Sequence, residues 1–138
     1  MKEGFTVVDQ LSIPSDFSSL GKVETLVDEV CSKLHVNEDY YGNVLIAVTE
    51  AVNNAIEHGN RFSKELSVDL SVGDKEVDFC FRVRDFGGGF DFNNLPDPTA
   101  PENVEKINGR GIYLMRSLAE DVVFDNGGNT VSIYFTKK

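Results

Sequence analysis

The stretch Glu50-Ala51-Val52-Asn53-Asn54-Ala55-Ile56-Glu57-His58-Gly59 sets polar residues inside a helical stripe that should be apolar. Around it Tyr41, Val44, Leu45, Val48, Val52, Ala55 and Ile56 recur at the period of an amphipathic helix. Glu50 and Asn54 stand four apart and share a face, with Asn53 beside them and Glu57 and His58 a turn later. Their apolar company makes that face a buried or cleft-facing one. Burying an unpaired polar side chain costs on the order of a few kcal/mol, so several on one stripe need partners: a metal, a water or a ligand. A hydrogen-bonded polar patch or a dimer contact would meet the same need. Among ligands, a carboxamide oxygen suits Mg2+, which keeps several waters and takes its other donors from phosphates. A carboxylate one turn earlier can accept a proton from an attacking hydroxyl.

Upstream of this helix, residues 5–13 alternate as a strand, with Phe5, Val7, Leu11 and Ile13 on one side and Asp9 breaking the stripe. Pro14 ends the strand, and Ser15 or Asp16 can cap a first helix carrying Leu20, Val23, Leu26, Val27, Val30, Cys31 and Leu34. Residues 36–39 read as the cap of the second helix, and Gly59 as its C-cap. Downstream, Leu66, Val68, Leu70 and Val72 alternate up to Gly73-Asp74, and Val77, Phe79, Phe81 and Val83 alternate after it, which predicts a hairpin with its turn there. Residues 92–108, with Pro96, Pro98 and Pro101, have no periodicity and read as a loop of functional length. Ile112, Met115, Leu118 and Ala119 mark a third helix, and Asn126-Gly127-Gly128-Asn129 separates two final strands.

The order is strand, two helices, hairpin, loop, helix, hairpin. It predicts an α+β fold: a two-layer α/β sandwich with three helices on one face of a mixed, mostly antiparallel sheet. A doubly wound parallel fold would need strict alternation of strand and helix. With 138 residues and 41% hydrophobic content, a single domain over residues 1–138 with a real core is expected. No stretch approaches the roughly 18 apolar residues of a membrane span, and the N-terminus has no apolar signal region. Cys31 and Cys80 fit neither a metal pattern nor a disulfide framework, so both are expected reduced, in a cytoplasmic protein. A net charge of -10 argues against nucleic acid as a partner. An anionic nucleotide would then have to be held by local means: backbone N–H groups, a helix N-terminus, a metal or one arginine.

Two further signals supply such means. Asp85-Phe86-Gly87-Gly88-Gly89 ends the strand of residues 77–83. A carboxylate there can accept from an exocyclic amine, and glycines let the backbone pass close to a ring; a plain tight turn has the same sequence. Gly109-Arg110-Gly111 precedes the third helix and offers open N–H groups at its positive end, or simply a flexible helix start. There is no Rossmann fingerprint and no P-loop.

Together, in this order and spacing, the three segments resemble the nucleotide-binding boxes of the GHKL, or Bergerat-fold, ATPase superfamily, the histidine-kinase-like ATPases. Within it the chain looks most like the bacterial anti-sigma-factor serine/threonine kinases. The likeness runs through residues 50–59, 83–91 and 109–115 and the closing Gly128-Asn129-Thr130-Val131. The resemblance implies ATP and Mg2+ as cofactors. Asn54 would bind the metal and Glu50 would be the general base toward a serine or threonine hydroxyl. Asp85 would take the adenine amine with Gly87 and Gly89 at the ring. Thr130 would reach adenine directly or through water. Gly109, Gly111 and Ile112 would cradle phosphates. Arg110 is a candidate phosphate contact, and Asn53 and His58 flank the metal face, His58 more as a helix-end residue than a catalyst. Residues 92–108 would form a lid. The partners implied are an antagonist protein of the STAS type, a sigma factor or similar client, and a second copy through the strand of residues 5–13. A module that binds ATP only to regulate a protein contact is the alternative. A histidine kinase fares poorly, because neither His35 nor His58 precedes an acidic phosphoacceptor helix, and a gyrase-like ATPase would need a transducer domain.

Overall fold

The computed structural model describes residues 1–87 and 107–138. Five strands, β1 (Thr6–Pro14), β2 (Ser67–Lys75), β3 (Asp78–Arg84), β4 (Asp121–Asp125) and β5 (Thr130–Thr136), form one sheet in the order β1-β2-β3-β5-β4. All four pairings are antiparallel, so among the described residues the sheet is antiparallel rather than mixed. The helices α1 (Leu20–Lys33), α2 (Tyr41–Asn54) and α3 (Ile107–Leu118) complete the two-layer sandwich. No described helix is long and apolar enough to cross a membrane.

Period-two patterning decides which face of the sheet the helices cover. Register sets Leu11, Leu70, Val83, Val131 and Phe124 in one row across the sheet, and Val72, Phe81, Ile133 and Val122 in the next. These rows meet Val44, Ala47, Val48, Ala51 and Val52 of α2 in the core. The break at Asp9 is a register shift between Val7 and Asp9. With one residue extra on β1, Val8 packs against the core and Val7 is left 46% exposed, where simple alternation put Val7 inward.

Two predicted boundaries move, and of the two caps offered before α1 one is chosen. The β2–β3 turn falls at Glu76-Val77, not Gly73-Asp74: Lys75 pairs with Asp78, and Glu76 takes φ 50°. Gly73 stays in the strand because Met1 lies over it, leaving a Cβ there only 2.7 Å from the Met1 Sδ. Asp16, not Ser15, caps the turn before α1, its carboxylate accepting from the Ser18 N–H at 2.9 Å. Helix α3 begins at Ile107, so Gly109-Arg110-Gly111 lies inside it instead of preceding it. In the second turn of a helix the N–H groups are taken by carbonyls one turn back, so Gly111 does not present an open donor.

Candidate functional site

Helix α2 does not stop on a glycine cap. After Asn54 it widens into a π turn, Ala55–Gly59, in which the Asn60 N–H donates to the Ala55 carbonyl at 2.8 Å. Gly59 is therefore not a left-handed C-cap. It is glycine because Asp85 lies against it: a Cβ there would come within 2.3 Å of the Asp85 carboxyl. Gly87 is held to glycine by the same approach from the other side, its Cβ position lying 1.7 Å from the Gly59 carbonyl oxygen. The end of β3 thus rests on the end of α2, backbone against backbone.

Asp85 is 4% exposed. Its N–H donates to the Asn129 carbonyl at 2.9 Å, and its Oδ1 accepts from the Gly87 N–H at 3.0 Å. Burial raises its carboxyl pKa above 3.8, and the Gly87 N–H partly offsets this by favouring the anion. Among the described residues no cation shifts this carboxyl, and a buried carboxyl so placed is a strong recognition element for a neutral donor such as an amine.

On the other side, α3 closes onto α2 at Gly111. A Cβ on Gly111 would stand 2.9 Å from Glu50 Oε2 and 3.2 Å from Asn54 Nδ2. The absence of a side chain at Gly111 is what lets the two helices meet over the acid and the amide. Within little more than one turn of α2 and its π extension, Asn53 Oδ1, Asn54 Nδ2 and His58 Nε2 are buried with no hydrogen-bond partner among the described residues. His58 Nε2 is 3.9 Å from Glu57 Oε2, too long for a hydrogen bond. Each such orphan costs about 1–3 kcal/mol, which a bound polar ligand would return. Of these atoms only Asn53 Oδ1 is an oxygen; the Asn54 NH2 calls for an acceptor such as a phosphate oxygen, while the amide oxygens and the Glu50 carboxylate are the donors that would suit a hard cation such as Mg2+.

A narrow crevice of about 10 Å3, room for about one water, joins the two halves, lined by Ala51, Asn54 and Ala55 of the α2 stretch, Val83 and Asp85 of β3, Met115, Phe124, and Gly128, Asn129 and Val131. Asn54 and Asp85 therefore face one cleft, Glu50 adjoins it through Gly111, and Asn53 and His58 sit on the same segment. Thr130 is not brought in. It pairs with Arg84 on the row opposite to Val83 and Val131, and its hydroxyl lies 3.2 Å from Asn129 Oδ1 and 3.3 Å from Asn126 Nδ2. Ile112 is 2% exposed and belongs to the core. Gly109 and Arg110 are in α3, while Gly89 and all of the predicted lid before Ile107 lie outside the described residues.

Sequence reasoning passed over Ala51, Ala55, Val83, Met115 and Asn129 as lining residues. The alanines did carry a signal: small side chains one turn apart, beside Asn54, line the crevice. Asn60, the residue after Gly59, is 3% exposed and makes three hydrogen bonds with its side chain.

A sandwich of this topology with an acid–amide helix face and a buried acid sharing one cleft defines a nucleotide-binding ATPase domain. Residues 13–135 match the histidine kinase-like ATPase domain, and the chain belongs to that family. It is 29% identical over 131 residues to the serine-protein kinase RsbW of Bacillus velezensis, an alignment covering 90% of this chain and 82% of that one. Identity to the RsbW of Bacillus subtilis is 28% over the same span, and to that of Oceanobacillus iheyensis 24% over 123 residues, covering 85% of this chain and 78% of that one. The crystal structure of the RsbU and RsbW domains of Rv1364c from Mycobacterium tuberculosis superposes with a TM-score of 0.62 at 15% identity, over 95% of this chain. This chain spans 32% of that longer one, and the likeness is one of fold.

Proposed function

We propose that the protein binds Mg-ATP in this cleft and transfers the γ-phosphoryl group to a serine or threonine of a partner protein. In this reading it is an anti-sigma-factor-type kinase whose substrate is a STAS-domain antagonist and whose client is a sigma factor or similar regulator. The observation that carries the proposal is the single cleft shared by Asn54 and Asp85, with Glu50 held against the same helix contact. Asp85 accepts the adenine amine. Asn54, with Asn53 close by, would hold Mg2+, which would supply charge neutralisation for the phosphates, and Glu50 takes the proton of the attacking hydroxyl. The bond from the γ-phosphorus to the β,γ-bridging oxygen breaks, a bond to the serine oxygen forms, ADP leaves, and the proton goes to the Glu50 carboxylate. Such a reaction asks mainly for positioning and charge neutralisation, which a metal and local backbone dipoles supply without a basic surface. The kinase names of the Bacillus relatives support the same class of chemistry.

The test is incubation with labelled ATP, Mg2+ and the STAS proteins of the source organism. Label is expected on a serine or threonine of one of them. Glu50→Gln should keep ATP binding while transfer falls by roughly 100-fold or more. A Glu50→Gln protein that transfers at the native rate removes the general-base role. ATP binding with no transfer to any STAS protein favours the regulatory module.

A further inference from the structure

Behind the cleft, three segments meet on the side chain of Asn60. The Asn60 Oδ1 accepts from the Phe86 N–H at 2.8 Å. The Asn60 Nδ2 donates to the Ser67 carbonyl at 2.8 Å and to Ser15 Oγ at 2.8 Å. Ser15 in turn donates to the Leu66 carbonyl at 2.6 Å. Asn60 and Ser15 are 3% and 1% exposed. The orientation of the amide is dictated by its partners: a backbone N–H can only donate and a backbone carbonyl can only accept. Asparagine is thus matched to this position, because one oxygen and one NH2 are both used.

The consequence falls on Asp85. Its own N–H is held by the Asn129 carbonyl, and the next N–H in the chain is held by Asn60. The backbone on both sides of the carboxyl-bearing carbon is therefore pinned, one pin to Asn129 just before β5 and the other to Asn60 just after the π turn. Asn60 follows directly on the π turn that carries Glu57, His58 and Gly59.

We propose that Asn60 is a positioning residue that sets the Asp85 carboxyl for purine recognition, coupling the base end of the site to the phosphate end through the Phe86 N–H. This rests on the reading of Asp85 as the acceptor of the adenine amine. Loss of the Asn60 contact frees the Asp85-Phe86-Gly87 turn and should weaken what the 6-amino group contributes, not what the phosphates contribute.

The experiment compares, by calorimetry on the full chain, binding of ATP with binding of purine riboside triphosphate, which lacks only the 6-amino group. The native protein should prefer ATP by about tenfold or more, the worth of one buried hydrogen bond to a charged acceptor. Equal binding by the native protein would overturn the Asp85 reading, and this inference with it, before any variant is made. Asn60→Ala should lose most of that preference while its affinity for purine riboside triphosphate changes within about twofold. Asn60→Asp keeps an acceptor for the Phe86 N–H and should keep the preference, although it melts lower because a carboxylate then faces the Ser67 carbonyl. Asn60→Ser keeps a hydroxyl near Ser15 but is too short to reach Phe86, and serves if the alanine protein does not fold; it should lose the preference too. Weakening of both nucleotides by the same factor in the alanine or serine protein, or full retention of the preference there, would overturn the proposal.

Discussion

Gly111→Ala separates stability from function. Gly111 lies within α3, where alanine is the better helix former by about 0.8–1 kcal/mol. Against that gain stands one close approach. The new Cβ would meet Glu50 Oε2 at 2.9 Å and Asn54 Nδ2 at 3.2 Å, where ordinary contact begins at 3.4 Å. The atoms that must yield are the ends of side chains, not backbone, so the glutamate carboxylate has to retreat by 0.5 Å (3.4 less 2.9) and the amide by 0.2 Å (3.4 less 3.2). Both shifts are cheap for the fold and expensive for chemistry, because displacement of a reacting group by about 1 Å costs on the order of 100-fold in rate. The expected protein therefore melts within a few degrees of the native one, binds Mg-ATP more weakly, and transfers phosphate at least about tenfold more slowly. Thermal melts, calorimetry with Mg-ATP and a phosphotransfer assay read the three quantities separately. Native transfer rates in Gly111→Ala would refute the claim that this glycine exists to bring α3 onto the acid and the amide.

Other perturbations follow from the same geometry. Asn54→Ala removes a buried amide whose Nδ2 has no partner among the described residues, so the fold should change little, while the Mg2+ dependence of ATP binding should largely disappear; an unchanged Mg2+ titration would remove the metal role. Asp85→Asn should bind ATP more weakly yet alter the pH profile of stability. The folded pKa of Asp85 is raised, so the folded state holds a proton that the unfolded chain releases; native stability is therefore highest below pH 3.8 for this group and declines as pH climbs through 3.8 to the raised value. Asp85→Asn lacks that decline, and melts of the two proteins should diverge as pH rises through this window; parallel curves would contradict the burial argument.

The elements themselves were legible because periodicity is a local property. Alternation in residues 66–72 and 77–83 and the 3.6-residue stripe of α2 report burial directly, and both survive in the structure. Boundaries were less legible where a distant contact overrides a local preference. Gly73 looks like a turn and is a strand residue under Met1; Gly59 looks like a cap and is a landing place for Asp85. Gly109-Arg110-Gly111 looks like a helix entrance and lies within α3. In each case a glycine advertises freedom of conformation, and the fold uses its lack of a side chain.

From its sequence alone this chain declares its strands and helices, its two-layer class and the polar residues that do not belong in a core, since hydrophobic period and buried charge are written residue by residue. Tertiary structure alone decides which of those residues meet. Strand register puts Asn129 and Val131, not Thr130, beside Asp85, because successive side chains on a strand point to opposite faces. The π turn after Asn54 and the contact of Gly87 with Gly59 bring the end of β3 onto the end of α2, and no local pattern encodes that meeting. Asn60 owes its importance entirely to partners 7, 26 and 45 residues away in the chain.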